Sequence, residues 1–351
     1  MSKDSTFKEL SSCVSKLPRE MLPRDYAGKI EFPPENGDIK LMLGLPDFME
    51  IYAVRATYRV KTPDNLDPQR TVPNMPSSQS IHSVVGASNP IVARLVIQSI
   101  EALGSCSLRH GSPEAIKRHL HACKEEALIC NDAYSRLKGP YDAAVSRVNE
   151  RKLTMKHATL ECPSLPTLSS DATTFLTSAK RALQCIGEVF NQFYVTDGKK
   201  PMVSNANFEF AISRLETKLP VNQAFLDYLK RTVPVTKRFV DLRNGLEHPG
   251  ESDRTVIEDF RPTPGGINPP AWQRDKLVAE SSILNDMRDF LDFLVCFGEA
   301  VFFYGLMDNI AVNLPFGVVR VPDSKVDPEC PIYYHLEPIF GQPSLNTAPI
   351  S

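Results

Sequence analysis

An arginine, an asparagine and a histidine lie within six residues of one another in the sequence Asp-Leu-Arg-Asn-Gly-Leu-Glu-His-Pro, residues 241–249. They are Arg243, Asn244 and His248. A histidine titrates near neutral pH and can exchange a proton with a reacting group. An arginine can stabilise negative charge that develops on a phosphorus centre. These residue types are therefore a minimal set for phosphodiester chemistry on RNA.

This segment is predicted to form the last turns of a short helix. The apolar stripe of that helix consists of Val235, Phe239, Leu242 and Leu246. At about 100° per residue, Asn244 and His248 share a face that points away from the stripe. Arg243 lies about 140° from His248, so its side chain must reach around the helix or meet the histidine of a symmetry-related chain. The proline that follows His248 ends the helix.

Simpler explanations of the same residues remain open. Arg243 and Glu247 are four positions apart and can pair on a helix surface, which is worth a few tenths of a kcal/mol. His248 is favoured at a helix C-terminus by the macrodipole without any catalytic role. Gly245 costs roughly 1 kcal/mol relative to alanine inside a helix. Its presence there is compatible with close approach by a partner backbone or a ligand.

Two long amphipathic helices are predicted on either side of this segment. One has apolar residues at spacings of four and three, namely Phe175, Ala179, Ala182, Ile186, Val189 and Phe193. The other repeats these spacings at Ile283, Met287, Phe290, Leu294, Phe297, Val301 and Tyr304. Such spacing is typical of bundles with shallow crossing angles. Between them we expect a helix over residues 207–218, an element that begins near residue 221, and a Pro/Gly-rich loop over residues 262–270, anchored to the bundle by Trp272.

The motif and this order of helices resemble the HEPN domain family. Arg-Asn-Gly-Leu-Glu-His, residues 243–248, matches the Arg-x4-His motif of these domains, including the polar residue directly after the arginine. The resemblance covers about residues 170–310. It implies a helical bundle that forms a homodimer with its motif helices together.

In catalytic HEPN domains the paired motifs form a metal-independent ribonuclease site. The resemblance therefore implies that Arg243 binds and polarises the scissile phosphate, that His248 acts as general acid or base, and that Asn244 orients one of them. Attack by the 2′-hydroxyl would leave a 2′,3′-cyclic phosphate and would need no metal or cofactor. RNA and a regulatory protein are the other partners implied. The alternatives are a HEPN-like module that binds or dimerises without catalysis, and a helical scaffold whose motif is coincidental.

The fold class is predicted to be mainly α, or α+β, with strands and helices in the N-terminal region and a bundle at residues 170–310. Residues 1–38 are expected to be poorly ordered, and residues 39–165 to form an α+β region of unassigned function. Val54, Ala56, Tyr58 and Val60 alternate with polar residues, which is the period of a half-buried strand. Its outward face carries three positive charges. We interpret them as a solvated face, with a weak anion- or RNA-binding face as the alternative.

The remaining segments are predicted from prolines and helix caps. Residues 62–90 contain five prolines and are expected to form a flexible loop. Helices are predicted over residues 91–103 and 113–137, the second capped by Ser112. The proline- and serine-rich residues 162–170 are the preferred domain boundary. Residues 311–351 are expected to hold two short strands, at 316–321 and 331–336, and a polar tail.

The bulk composition limits the functional classes. The net charge is −2, so the chain has no global attraction to nucleic acid or to an anionic membrane. Eight scattered cysteines and a polar start favour a reducing, cytoplasmic location. Residues 290–307 are very apolar, but Asp292 and Glu299 interrupt them and they fall short of a bilayer span. A buried bundle helix is predicted there, and no membrane contact.

No metal or cofactor site is predicted. His119 and His121 lie about 200° apart around a helix, which is the wrong geometry for two zinc ligands. Cys123 and Cys130 fit better as small core residues. No glycine-rich phosphate loop or nucleophile motif is present in the sequence.

Overall fold

The computed structural model of this chain describes residues 31–150, 155–156, 159–195, 200–218, 222–247, 253–275, 277–311 and 316–338. The chain divides into two compact units between Ser88 and Asn89. Helices account for 54% of the structure and strands for 21%, so the predicted mixed class, with helix predominant, is confirmed. Residues 1–30, part of the segment expected to be poorly ordered, lie outside the described residues.

The first unit is built on a four-stranded antiparallel sheet. Its strands, in spatial order, are β1 (Ile39–Leu45), β2 (Phe48–Ala53), β3 (Thr57–Lys61) and β4 (Ser78–Ser83). Tyr58 and Val60 are buried as the alternating pattern predicts, and the ring of Phe32 packs edge-on against Tyr58 at 4.8 Å. The charged face of β3 is partly neutralised, because Arg59 pairs with Glu50 on β2 at 2.6 Å.

The loop expected over residues 62–90 contains a short helix and a strand that the sequence did not predict. A short helix, α1 (Pro63–Leu66), follows β3, and Thr62 caps it by accepting a hydrogen bond from the Asn65 amide. The strand β4 lies in the same stretch and pairs with β3. Its side chains are almost all exposed. Since β4 is held by main-chain hydrogen bonds and buries little, it has no alternating apolar pattern to reveal it.

The second unit contains six helices within its described residues. The first, α2, covers residues 90–104 and has a π-helical turn at Ala93–Ile97. The others are α3 (Pro113–Asn149), α4 (Leu168–Tyr194), α5 (Glu209–Lys218), α6 (Gln223–Glu247) and α7 (Ile283–Asn309). A hairpin whose two strands have two residues each, β5 (Met155–Lys156) and β6 (Thr159–Leu160), lies between α3 and α4.

The predicted domain boundary at residues 162–170 lies inside this second unit. The helices on either side of it, α3 and α4, share the largest contact in the unit, and α4 also packs against α6 and α7. The segment therefore links two helices of one bundle. Helix α3 also continues beyond its predicted end, through Pro140 to Asn149, where the buried Ala144 and a stacked pair of rings, Tyr141 and Phe260, hold its last turns.

Two elements predicted as separate, one from residue 221 and one carrying the motif, form the single 25-residue helix α6 with Pro234 inside it. Phe239 and Leu242 are buried as expected, but Val235 is 36% exposed. Gly245 lies on the buried face instead. The covered face shifts because α6 packs first against helices and then, at its last turns, against strands.

Those strands occupy the stretch between α6 and α7, where a Pro/Gly-rich loop was expected. They are β7 (Thr255–Glu258), β8 (Arg261–Thr263), β9 (Gly266–Asn268), β10 (Ala271–Arg274) and β11 (Val278–Ser282). A three-stranded sheet has the order β11-β10-β7, and β8 and β9 form a hairpin. Trp272 anchors the insert as predicted, fully buried and donating a hydrogen bond to Asp286 on α7 at 2.6 Å. Strands of three to five residues leave almost no periodicity in a sequence.

The long apolar helix α7 is long and apolar enough to cross a membrane, but 78% of its most apolar window is buried inside the protein. All seven residues of its predicted seam are buried. This agrees with its interpretation as a core helix. The predicted C-terminal strands are present as an antiparallel pair, β12 (Phe316–Arg320) and β13 (Tyr334–Pro338).

Candidate functional site

Two of the three predicted site residues, Arg243 and Asn244, lie on the last turn of α6. The third, His248, follows directly after the helix and lies outside the described residues. The geometry of the site is therefore that of Arg243, Asn244 and the side chains around them.

Arg243 forms an ion pair with Glu247 one turn further along the helix. Its side chain is 17% exposed, and its Nε is buried without a hydrogen-bond partner among the described residues. Burial, and then the positive charge of Arg181, lower the pKa of the guanidinium. The i, i+4 surface pair expected as the simpler explanation is thus present, but Arg243 keeps unused hydrogen-bonding capacity.

Asn244 is linked to a lysine that the sequence did not single out. Its Oδ1 accepts a hydrogen bond from the Nζ of Lys180, on α4, at 2.8 Å. Burial, and then the charge of Arg243, lower the pKa of Lys180. No carboxylate of the described residues pairs with this ammonium group. The only sequence signal for Lys180 is a cation beside the apolar face of α4.

The end of α6 is held by the inserted sheet. The hydroxyl of Thr255, on β7, donates to the main-chain oxygen of Leu242 at 2.6 Å. Arg274, on β10, donates to the main-chain oxygen of Asp241 at 2.5 Å and binds the Asp253 carboxylate with two further hydrogen bonds. A main-chain carbonyl has two lone pairs, so these donors add to the bonds of the helix and tie the start of the motif to the sheet.

Gly245 is the point of closest approach between α6 and this sheet. A Cβ atom there would lie 2.4 Å from Thr255 Oγ1 and 2.8 Å from Thr255 N. The close neighbour that the glycine predicts is therefore the chain's own β7. The face of α6 at Gly245 is not available to a partner.

A cleft of about 490 Å³ opens beside Asn244. Its walls come from α4, from the segment that leads into α5, and from α6. The lining residues are Lys180, Ser204, Asn205, Ala206, Asn207, Phe208, Glu209, Val233, Thr236, Lys237, Val240, Asp241 and Asn244.

The wall before α5 contains a tight turn in an uncommon conformation. Asn205 and Ala206 have φ angles of 52° and 63°, and the amide of Asn207 closes the turn on the Ser204 carbonyl at 3.0 Å. The left-handed region costs an L-residue such as alanine roughly 1–2 kcal/mol, so the surroundings must stabilise the turn.

Asn191, buried on α4, anchors the residues just before that turn. Its side-chain oxygen accepts hydrogen bonds from the amides of Met202 and Val203, both at 3.0 Å, and its Nδ2 donates to the Val203 carbonyl at 2.9 Å. Gly187, one turn earlier on α4, gives Val203 room, since a Cβ there would lie 2.6 Å from its Cγ1. The wall of the cleft is therefore fixed before any ligand binds.

The charges of the cleft are unevenly paired. Lys237 pairs with Glu209 at 3.0 Å, and Asp241 lies 3.6 Å from Arg274. Burial raises the pKa of Asp241, and the neighbouring cations oppose that shift. Lys180 is the lining cation that has no carboxylate partner among the described residues.

Comparison of the chain with protein-family models, with the curated proteins and with the solved structures found no match.

In the histidine and cysteine cluster on α3, the two cysteines belong to the core and the two histidines are partly exposed. Cys123 and Cys130 are fully buried, which confirms their interpretation as small core residues. Cys130 donates its S–H to the main-chain oxygen of Phe175 on α4. Burial raises the pKa of both thiols well above the usual value, so neither is a reactive thiolate.

Proposed function

We propose that this chain is a HEPN-like, RNA-directed protein and that Arg243, Asn244 and His248 cleave RNA without a metal ion. The observation that carries the proposal is the hydrogen bond between Lys180 and Asn244 at the edge of the cleft. It joins the motif to a half-buried cation that lacks a carboxylate partner among the described residues. Positive charge at such a site stabilises the negative charge that develops on phosphorus in the transition state.

The reaction is an internal transesterification. The 2′-oxygen of a ribose attacks the adjacent phosphorus, the bond from phosphorus to the 5′-oxygen breaks, and a 2′,3′-cyclic phosphate and a 5′-hydroxyl result. A base takes the proton of the 2′-hydroxyl and an acid gives a proton to the leaving 5′-oxygen. His248 performs one of these transfers, and Arg243 stabilises the charge of the phosphorane-like centre.

The second proton transfer is assigned to His248 of a symmetry-related chain, because the sequence predicts an angle of about 140° between Arg243 and His248 on an ideal helix. The face of α6 at Gly245 is covered by β7. The homodimer that we propose therefore uses the side of α6 that carries Arg243 and Glu247. A cytoplasmic location and a regulatory protein partner belong to the same proposal.

A non-catalytic RNA-binding module is the second candidate. The observation that favours it is the ion pair between Arg243 and Glu247, which occupies the arginine in the absence of RNA. Such surface pairs are weak, whereas an arginine binds phosphate with two charge-assisted hydrogen bonds. RNA can thus displace Glu247 from Arg243. The ribonuclease and the binding module are therefore both expected to bind RNA.

Labelled RNA incubated with the full chain in EDTA separates the two candidates. The variants are His248→Ala and Arg243→Ala, with His335→Ala and Arg320→Ala as matched controls, since both control side chains are exposed and paired with acids elsewhere. Cleavage that only the first two substitutions abolish supports the ribonuclease. RNA binding without cleavage, weakened by Arg243→Ala, supports the binding module. Cleavage at wild-type rates in both motif variants contradicts the assigned roles, and a monomer at micromolar concentration contradicts the shared site.

A further inference from the structure

We propose that the cleft between α4, the turn at Ser204–Asn207 and α6 binds one nucleotide of an RNA strand, with its phosphate held by Lys180 and Asn244. This inference deepens the proposed function and rests on it for the identity of the strand. It assigns a ligand to Lys180, which lies outside the Arg-x4-His motif, and adds a phosphate contact to Asn244 within it. The contacts that carry it are those of the cleft itself.

Lys180 and Asn244 have N–H groups that are not used in hydrogen bonds among the described residues. Lys180 has three N–H groups and gives one to Asn244 Oδ1. The remaining two, and both N–H groups of the Asn244 amide, have no acceptor among the described residues. The hydrogen bond that joins the two side chains holds these donors side by side at the cleft wall. Several adjacent donors without an acceptor are suited to bind an anion.

The ion pairs of the cleft leave one of its positive charges without a carboxylate partner in the described part of the chain. The two acidic residues of the cleft are already matched, Glu209 by Lys237 and Asp241 by Arg274. Lys180 supplies the remaining positive charge. Its ammonium is half-buried and lies near Arg243, and both features lower its pKa. A bound phosphate removes both costs, because it gives the ammonium a counter-charge and screens it from the arginine.

The size and composition of the cleft also suit a nucleotide. About 490 Å³ is within the range of small-molecule sites, roughly 300–1,000 Å³, and exceeds the space that a phosphate alone fills. Beyond the lysine the lining is mixed, with apolar side chains at Ala206, Phe208, Val233 and Val240 among polar ones. Apolar side chains beside hydroxyls and amides suit a ribose and a base. The cleft is also preformed, because Asn191 fixes the chain that enters the turn.

The test measures binding apart from cleavage. A fluorescein-labelled 2′-O-methyl oligoribonucleotide lacks the attacking hydroxyl and cannot be cleaved by the proposed reaction. Its Kd is measured by fluorescence anisotropy for the full chain and for Lys180→Ala, Lys180→Arg and Asn244→Ala. Lys230→Ala is the control, because Lys230 lies on α6 and pairs with Glu216 outside the cleft.

Lys180→Ala is expected to raise the Kd about tenfold or more, the usual effect of losing a charge-assisted hydrogen bond. The slope of log K against log salt should fall by about one. Asn244→Ala should weaken binding less, while Lys180→Arg and Lys230→Ala should stay close to wild type. Circular dichroism melts of each variant separate a binding defect from unfolding.

Each outcome decides one of the two proposals. Wild-type affinity in Lys180→Ala, or no binding by the wild type, overturns the nucleotide site even if RNA is cleaved. Binding that depends on Lys180, without cleavage of unmodified RNA, keeps the nucleotide site and overturns the ribonuclease. Competition by a ribonucleoside monophosphate alone identifies a free nucleotide as the ligand and overturns the strand assignment, whereas competition by unlabelled oligonucleotide supports it.

Discussion

Gly245 and Thr255 are in contact at the end of α6, and the contact leaves no room for a side chain at residue 245. A methyl group there would lie 2.4 Å from the Thr255 hydroxyl oxygen, which itself donates to the Leu242 carbonyl. The glycine thus allows a β-strand to pack against the last turns of the helix that carries Arg243 and Asn244. The position of the motif depends on a contact with a strand that follows it in the sequence.

Gly245→Ala is therefore expected to destabilise the protein, although alanine is the better helix former. Overpacking of this kind costs typically 1–3 kcal/mol. The matched control is Gly104→Ala at the end of α2, where a Cβ meets nothing within 4 Å. That change should leave the stability unchanged or raise it by up to about 1 kcal/mol. Urea unfolding measures the free energy of unfolding of both variants. Equal values would show that β7 does not exclude a side chain at residue 245.

Glu247→Gln is expected to strengthen RNA binding. The substitution removes the carboxylate that pairs with Arg243 and leaves a residue of similar size. Since such pairs are worth about 0.2–0.5 kcal/mol, affinity should rise up to about twofold. Glu280→Gln, which alters an exposed pair with Arg261, serves as the control. Weaker binding in Glu247→Gln alone would mean that Glu247 contacts RNA or orients Arg243 for it.

Glu299→Ala is expected to destabilise the second unit by about 3–5 kcal/mol, because it removes one partner of a buried ion pair. Glu299 on α7 is fully buried and accepts hydrogen bonds from Arg94 and Gln98 on α2. The double variant Arg94→Met, Glu299→Leu should be much less destabilised than Glu299→Ala, since no unpaired charge is left. Denaturant unfolding measures each, and additive losses would argue against the coupling.

The same cluster reaches the C-terminal hairpin. The side-chain oxygen of Gln98 accepts from the amides of Tyr333 and Tyr334 at 2.6 and 2.7 Å. Loss of Glu299 frees the amide end of Gln98. Hydrogen exchange at these two tyrosine amides should therefore accelerate in Glu299→Ala and stay unchanged in Glu280→Ala.

His119 should make the protein less stable in mild acid. Burial is the main cause that lowers its pKa, Glu188 opposes the shift, and Arg118 adds to it. Since the unfolded chain then binds the proton more readily, stability is lost as the pH falls through the ordinary histidine value of about 6.5. His119→Gln should flatten the fall in unfolding free energy between about pH 7.5 and 5.5. An unchanged pH profile would exclude His119 as its source.

The seams of α4 and α7 were predictable because each helix repeats one apolar spacing over many turns, and every residue of both seams is buried. The strand β4 and the insert β7–β11 were not predictable in this way. The exposed β4 buries almost nothing, and the strands of the insert are too short for a period to appear. Local periodicity carries information only where one face of an element is buried over several repeats.

The residues of the candidate site also differ in whether local sequence could predict their placement. Arg243 and Asn244 share a helical turn, so their placement follows from local geometry. Lys180 is 64 residues away in sequence and reaches Asn244 through the packing of α4 on α6. Gly245 is closely approached, but by β7 of the same chain and not by the partner backbone or ligand that its presence in a helix suggested.

Lys180 and Asn191 are eleven residues apart on α4, which is about 16 Å along the axis and within about 20° of the same face. Lys180 holds Asn244 at one side of the cleft, and Asn191 holds Met202 and Val203 at the entrance to the other. Both sides of the cleft are thus anchored to the same helix, α4. The distance between these two contacts on α4, about three helical turns, therefore helps to set the width of the cleft.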